Sequence, residues 1–444
     1  QVYRAQGKFS EVEPYYRRAL NIYEGSDKGD REEYAQTLES LADFYRAHGK
    51  FEQAEPLFRK AISERETQFG PDDQSLVPML KNLALLYHAD SKYELAEPLY
   101  NRALKLSEIQ WGESHPSVAT LLNYQAELNR MKGDFEVAEK LHWRALKIRQ
   151  SVLGLEHPST AQSLGNLALL FHIQCRYDQA EPLYKTLLDI RTKDWGPKHM
   201  HVAEVLNSLA EVYKDQGNFS EAEQHYWRAM TITQENLGPE HPSVATSLQN
   251  LAELYELAEN FDEADRLYKW GLGLSEKTLG AEHPDTITAA MNLYTHLDRT
   301  DRDSEADALL GTYVPIAERT LEPANPIRLF VLSKFVLSSL RNGANNEAAD
   351  AARRALVALE SVADDSFWEV ARFRALLGAA LSAGGDLDEA GAMLERGVAG
   401  LEATRGADHP WTRWALAQLG EHRARVEESG SENDPEPPAA PGGP

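Results

Sequence analysis

The sequence predicts an all-α solenoid of antiparallel helix pairs, and three observations predict it. A phrase returns every 42 residues, two apolar stripes of helical period lie inside each period, and an alanine column keeps its register throughout. The phrase is Trp111, Gly112, His115, Pro116. It recurs as Leu153, Gly154, His157, Pro158, then as Leu237, Gly238, His241, Pro242 and as Leu279, Gly280, His283, Pro284. The copy at Trp195, Gly196 and His199 has Met200 in place of the proline; weaker copies stand at Phe69 to Pro71 and Leu321 to Pro326, and a good one ends at His409 and Pro410. In a chain with such a period, each unit buries its apolar face only by stacking on its neighbours.

One unit shows why two helices form. Pro242 suits a first helical turn, where its missing N–H needs no partner. Leu248, Leu251, Ala252 and Tyr255 then recur three and four apart, which makes one stripe of a helix A of roughly 16 residues. Phe261, Ala264, Leu267, Tyr268 and Gly271 mark a helix B of roughly 18, which ends at Leu279 with Gly280 as a stop. The small residue of helix B falls at Ala54, Ala96, Ala138, Ala180, Ala222, Ala264, Ala306, Ala348 and Ala390. The helix A leucine falls at Leu41, Leu83, Leu167, Leu209, Leu251, Leu293 and Leu377, with Gln125 and Phe335 as exceptions. Gly7, Gly49, Gly133, Gly217, Gly343 and Gly385 mark the turn from A to B.

Nine complete pairs are predicted between about Glu33 and Ala403, with a lone helix B before them (Phe9 to Tyr23) and a lone helix A after them (Pro410 to about Val426). Beginning halfway through a unit suggests a piece of something longer. The expected organisation is a trailing half repeat and connector over 1–32, well-formed repeats with the binding groove over 33–300, and degenerate alanine-rich repeats with a terminal helix over 301–428. Residues 429–444, rich in proline and glycine, read as a disordered tail.

Net charge of −24 disfavours a phosphate-backbone ligand. No run of 18 apolar residues appears, so no membrane span is expected. The single cysteine, Cys175, excludes a disulfide framework and fits a reducing, cytoplasmic setting.

No phosphate loop, His-Glu-x-x-His or nucleophile elbow is present, so neither catalysis nor a cofactor is expected. The corner histidines His115, His157, His241, His283 and His409 stand one before a proline. Corresponding corners are at least about 8–10 Å apart by helix stacking, too far to share a zinc ion with bonds of about 2 Å. They are expected to cap or pack against the turn. Cys175 replaces a turn glycine. Trp111 and Trp195 are expected in the core, and Trp143, Trp227 and Trp270 on the outer, B-helix layer.

Helix A as Asn250, Leu251, Ala252, Glu253, Leu254, Tyr255, followed by Asn260, Phe261 and Ala264, resembles the tetratricopeptide repeat. With the Gly-x-x-His-Pro corner, and with the stretch from Gly49 to Ala61, it looks most like the kinesin light chain type. The resemblance implies a right-handed superhelix whose inner groove, lined by A helices, binds peptide segments or other proteins. It also implies that Asn82, Asn166, Asn250 and Asn292, with Asn123 and Asn207 one position earlier in their own units, grip a bound peptide.

Spacing reads the same helix face independently. One column runs Arg46, His88, Arg130, His172, Lys214 and turns acidic at Glu256 and Asp298; its neighbour runs Asp43, Leu85, Glu127, Leu169, Glu211, Glu253. Alternate units therefore pair acid with base, and those between offer leucine and histidine. The expected activity is that of a non-enzymatic scaffold, binding a protein or peptide of mixed charge between about Ser40 and Asn292. Its basic end would lie toward repeats six and seven. The alternative is the regulatory or sensor module of a larger signalling protein.

Overall fold

A computed structural model describes residues 9–24, 31–363 and 367–432. Among them the A helices are α2 (Arg31–Ala47), α4 (Leu76–Ala89), α6 (Pro116–Lys132), α8 (Pro158–Ile173), α10 (Met200–Asp215), α12 (Pro242–Leu257), α14 (Pro284–Arg299), α16 (Pro326–Arg341), α18 (Trp368–Gly384) and α20 (Pro410–Glu432). The B helices are α1 (Phe9–Glu24), α3 (Phe51–Phe69), α5 (Tyr93–Trp111), α7 (Phe135–Leu153), α9 (Tyr177–Trp195), α11 (Phe219–Leu237), α13 (Phe261–Leu279), α15 (Asp303–Thr320), α17 (Asn345–Glu360) and α19 (Leu387–Arg405). The architecture is the all-α solenoid of paired antiparallel helices that the repeat predicts. Helix α20 runs past its expected end to Glu432. Gly7, the connector 25–30 and the rest of the tail from 433 lie outside the described residues.

The helices form two compact units, Gln1–Asn218 with α1 to α10 and Phe219–Pro444 with α11 to α20. Within the first unit α2 meets α4 and α6 meets α8; within the second α12 meets α14, α14 meets α16, α16 meets α18 and α18 meets α20. The alanine column explains how a pair closes. All nine alanines, from Ala54 to Ala390, are fully buried, because a larger side chain there would hold the paired helices apart. Gln125 occupies the leucine column without an orphaned amide, since its Nε2 donates to Asn101 Oδ1 at 2.6 Å.

The acid that follows five of these alanines, from Ala96 to Ala264, ties one repeat to the next. Glu97 accepts from Lys132 at 2.7 Å, Glu139 pairs with Arg176 at 2.5 Å, and Glu181 accepts from Tyr213 Oη at 3.0 Å. In the second unit Glu223 accepts from Tyr255 Oη at 2.5 Å and Asp265 pairs with Arg302 at 2.6 Å.

Two turns alternate. Between A and B the chain takes a left-handed φ at Gly49, Gly133, Gly217, Gly343 and Gly385, and Cys175 adopts the same conformation at φ 56°. Between B and the next A, the corner histidine caps the helix. Ser159 N–H donates to His157 Nδ1 at 3.1 Å, and the bond recurs at His115 (3.1 Å), His241 (3.2 Å) and His283 (3.2 Å). Asn325 does the same with Oδ1, accepting from Ile327 N–H at 2.9 Å, so the corner needs a side-chain acceptor rather than an imidazole. His157→Ala is therefore expected to destabilise the chain by about 1 kcal/mol, and His157→Asn by only a few tenths. Urea midpoints test this: equal losses would mean that the ring's packing, not its acceptor, holds the corner.

Candidate functional site

The A-helix face of the first unit is built from α2, α4, α6, α8 and α10. Its column of bases is neutralised within the column's own helices. Arg46 meets Asp43 at 3.2 Å, Arg130 donates to both Glu127 oxygens at 2.9 and 3.0 Å, and Lys214 meets Glu211 at 2.8 Å. Burial alone raises the Glu127 carboxyl, but the bonds from Arg130 outweigh it and hold the group below its usual value. Lys214 is buried at 8% exposure, so its ammonium is part of the wall rather than a free contact. His172 reaches the next helix instead, with Nε2 2.8 Å from Asp215. His88 is half-buried against Tyr93 and burial pushes its pKa down.

The six asparagines separate into three groups. Asn82 donates to Glu39 at 3.0 Å and Asn292 donates to Gln249 at 3.2 Å, each reaching back one repeat. Asn166 and Asn250 have no hydrogen-bond partner among the described residues. Asn123 corrects the expectation: it is 7% exposed and faces the core. One position earlier on a helix is a rotation of about 100°, enough to turn it off the open face. There it accepts from His142 Nδ1 at 2.9 Å and donates to Ser163 Oγ at 2.9 Å. Asn207, at the same position two repeats on, is half-buried, and its Oδ1 is buried without a partner. Leu85 is half-buried, whereas Leu169 is 42% exposed beside the unpartnered Asn166.

In the second unit, α12 and α14 enclose a pocket of ≈ 440 Å³ with Tyr268 of α13 in its wall. Tyr268 Oη donates to Glu256 at 2.9 Å, and burial together with Glu256 pushes that phenol far up. Glu253, Asn250, Gln249 and Arg299 also line the pocket. The charge column foreshadows Glu253 and Glu256, but Gln249 and Arg299 are legible only after every helix A position is compared across repeats.

The tryptophan expectations have two outcomes. Trp111 and Trp195 are not core residues: they are 41% and 50% exposed. As the last residues of their B helices they project past the pair, and their rings stack on the corner histidines His115 and His199, with centroids 5.2 and 4.6 Å apart. Trp143 and Trp270 are exposed, and Trp227 half-buried, on B helices. Among the described residues no group of three or more His, Cys, Asp or Glu is arranged to hold a metal, and no helix is long and apolar enough to cross a membrane.

Comparison with known proteins agrees with this geometry. A tetratricopeptide repeat profile matches residues 1–66, 35–109, 75–150, 117–193 and 201–277, together more than half of the chain. Among solved structures, BtubC (BKLC) from P. vanneervenii is 26% identical, covers 53% of this chain and 92% of its own, and has a TM-score of 0.44. A Podosopora anserina putative kinesin light chain with nearly identical TPR-like repeats is also 26% identical, covers 47% and 98%, and has a TM-score of 0.42. The apo form of RapI is 12% identical over 89% of this chain and 98% of its own, with a TM-score of 0.50, a likeness of fold alone. A search of curated proteins returns no match. The 42-residue period, the paired helices and the profile matches place this chain in the tetratricopeptide-repeat family.

Proposed function

We propose that the chain is a non-enzymatic scaffold of the kinesin light chain-like type, which recruits a partner protein by binding one of its segments along the A-helix face. The observation that carries this is the pairing of Asn166 and Leu169 in the first unit. An asparagine inside a helix is unfavourable by about 0.5 kcal/mol relative to alanine, and its amide here bonds to nothing among the described residues. It stands one turn from an exposed leucine, so backbone-directed polar groups and an apolar contact share one strip. That combination suits a peptide, whose amides need partners when they leave water. The paired charges along the same face suit a segment of mixed charge. The single cysteine fits work in the reducing cytoplasm.

Photo-cross-linking tests the assignment. A benzophenone amino acid at Leu169 is expected to capture a partner in extracts of the source cells, and Asn166→Ala in the same chain to reduce the yield. The same probe at Trp143, on a B helix, should capture little. Capture from Trp143 alone would move the binding surface to the other layer.

A further inference from the structure

We infer that the pocket between α12 and α14 is a receptor for a basic side chain, arginine in preference to lysine, of the segment bound on the A-helix face. The inference rests on the scaffold reading and adds the ligand chemistry of one subsite.

Three features of the pocket converge on a guanidinium. The first is shape: ≈ 440 Å³ accommodates an arginine side chain and part of its backbone, within the range of about 300–1,000 Å³ usual for binding clefts. The second is charge. Glu253 and Glu256 both line the pocket, and among the described residues the only cation that lines it is Arg299. Glu256 is 8% exposed, so its carboxylate has left most of its water. Tyr268 satisfies one oxygen at 2.9 Å; the other has Arg299 at 3.5 Å, the outer limit of a hydrogen bond, and His296 at 3.8 Å. Burial pushes His296 down, so at neutral pH it brings no charge to that oxygen. A carboxylate removed from water with a loosely held counterion is improved by a second cation that can donate at shorter range.

The third feature is a pair of uncommitted amides. Gln249 Nε2 is buried without an acceptor, although its Oε1 is held by Asn292. The amide lies over Gly271, where a Cβ would come within 2.7 Å of that nitrogen; the corresponding residues of neighbouring repeats, Ala229 and Leu187, carry a side chain there. Asn250 beside it has no partner among the described residues. A buried donor left open costs about 1–3 kcal/mol, and a peptide carbonyl delivered with the basic side chain would satisfy it. Arginine fits better than lysine because its planar fork can bridge two carboxylates, whereas an ammonium is a point charge.

The probe is a phage library of random dodecamers selected on the full chain, followed by synthetic copies of the selected sequences. The peptides are expected to share an arginine or lysine at one register. Replacing that arginine by citrulline, neutral and of the same shape, should weaken binding by roughly 10-fold or more, as should Glu253→Gln in the protein. The two changes together should be no worse than either alone. Glu253 is exposed, so its variant tests the pocket without disturbing the fold; Glu256→Gln, checked by melting, is the second variant. Selected peptides that lack a basic residue, or whose binding ignores Glu253→Gln, would overturn the arginine receptor, and cross-linking from Leu169 would leave the scaffold reading standing. Failure to select any peptide, with no cross-linking from Leu169, would overturn both.

Discussion

Alanine at Gly397 is expected to lower stability by about 3 kcal/mol, and the same substitution at Gly311 to raise it by about 1 kcal/mol. Both glycines lie inside B helices of the second unit, where alanine is the better helix former. They differ in what a methyl group would meet. At Gly311 there is nothing within 4 Å. At Gly397 the new carbon would lie 2.7 Å from the backbone nitrogen of Ala375 and 2.9 Å from its Cα. Backbone cannot swing aside as a side chain can, so α18 and α19 would have to separate. Gly378 and Gly400 deepen the problem: a Cβ at Gly378 would come within 2.8 Å of Leu394 N, and one at Gly400 within 2.6 Å of Ala371 Cβ. Helices α18 and α19 therefore approach closely enough that backbone meets backbone, with no room for a methyl group. Urea unfolding of the two variants checks this, and a stabilised Gly397→Ala chain would show that the helices have room to spare.

Acidification is expected to weaken the first unit, with the largest histidine contribution from His142. Its ring is fully buried in α7, with Nδ1 on Asn123 and Nε2 unpartnered, and burial pushes its pKa down to about 4. In the unfolded chain the ring returns to an ordinary value of about 6.5. Between these two values the unfolded state binds the extra proton, so stability rises with pH there. The contribution is complete above about pH 6.5 and falls as pH drops toward about 4, for a total of about 3 kcal/mol. Tyrosine stands in the same column at Tyr100 and Tyr184. Unfolding curves of the parent chain and of His142→Tyr at pH 7, 6 and 5 should diverge, with the variant losing less on acidification. Parallel curves would mean that the ring takes up its proton without leaving its site.

How much of this was legible depends on what a period encodes. A 42-residue register, with the Ala54 to Ala390 column and the Pro-started A helices, specifies which residues pair and where each helix starts, because all follow from backbone geometry. It does not specify rotation to better than one position. Asn123 and its neighbour Tyr124 are about 100° apart on the helix, enough that an asparagine expected on the open face is turned inward. The corner tryptophans failed for a related reason. Phe69, Leu153 and Leu237 share their column, and apolar type suggested burial, yet the last residue of a helix outruns the pair that would cover it. A signal for the inward asparagine was present: His142 interrupts a column of Phe58, Tyr100, Tyr184 and Tyr226, and a polar ring in an aromatic column requires a polar partner across the pair. The pocket at α12 and α14 was half legible, since its carboxylates follow the charge columns, while the open Gln249 amide depends on the missing side chain of Gly271.

The rungs between repeats act as a ruler on the gene. Glu139 with Arg176 and Asp265 with Arg302 both span 37 residues, and Asn82 with Glu39 and Asn292 with Gln249 both span 43. One added codon between two such partners would rotate everything beyond it by about 100° and break every rung that spans it. A changed letter at a corner has no such reach: Asn325 for histidine, or Met200 for proline, alters a single cap. Spelling in this chain is thus free to drift where length is not, and the count of 42 outlives the words written in it.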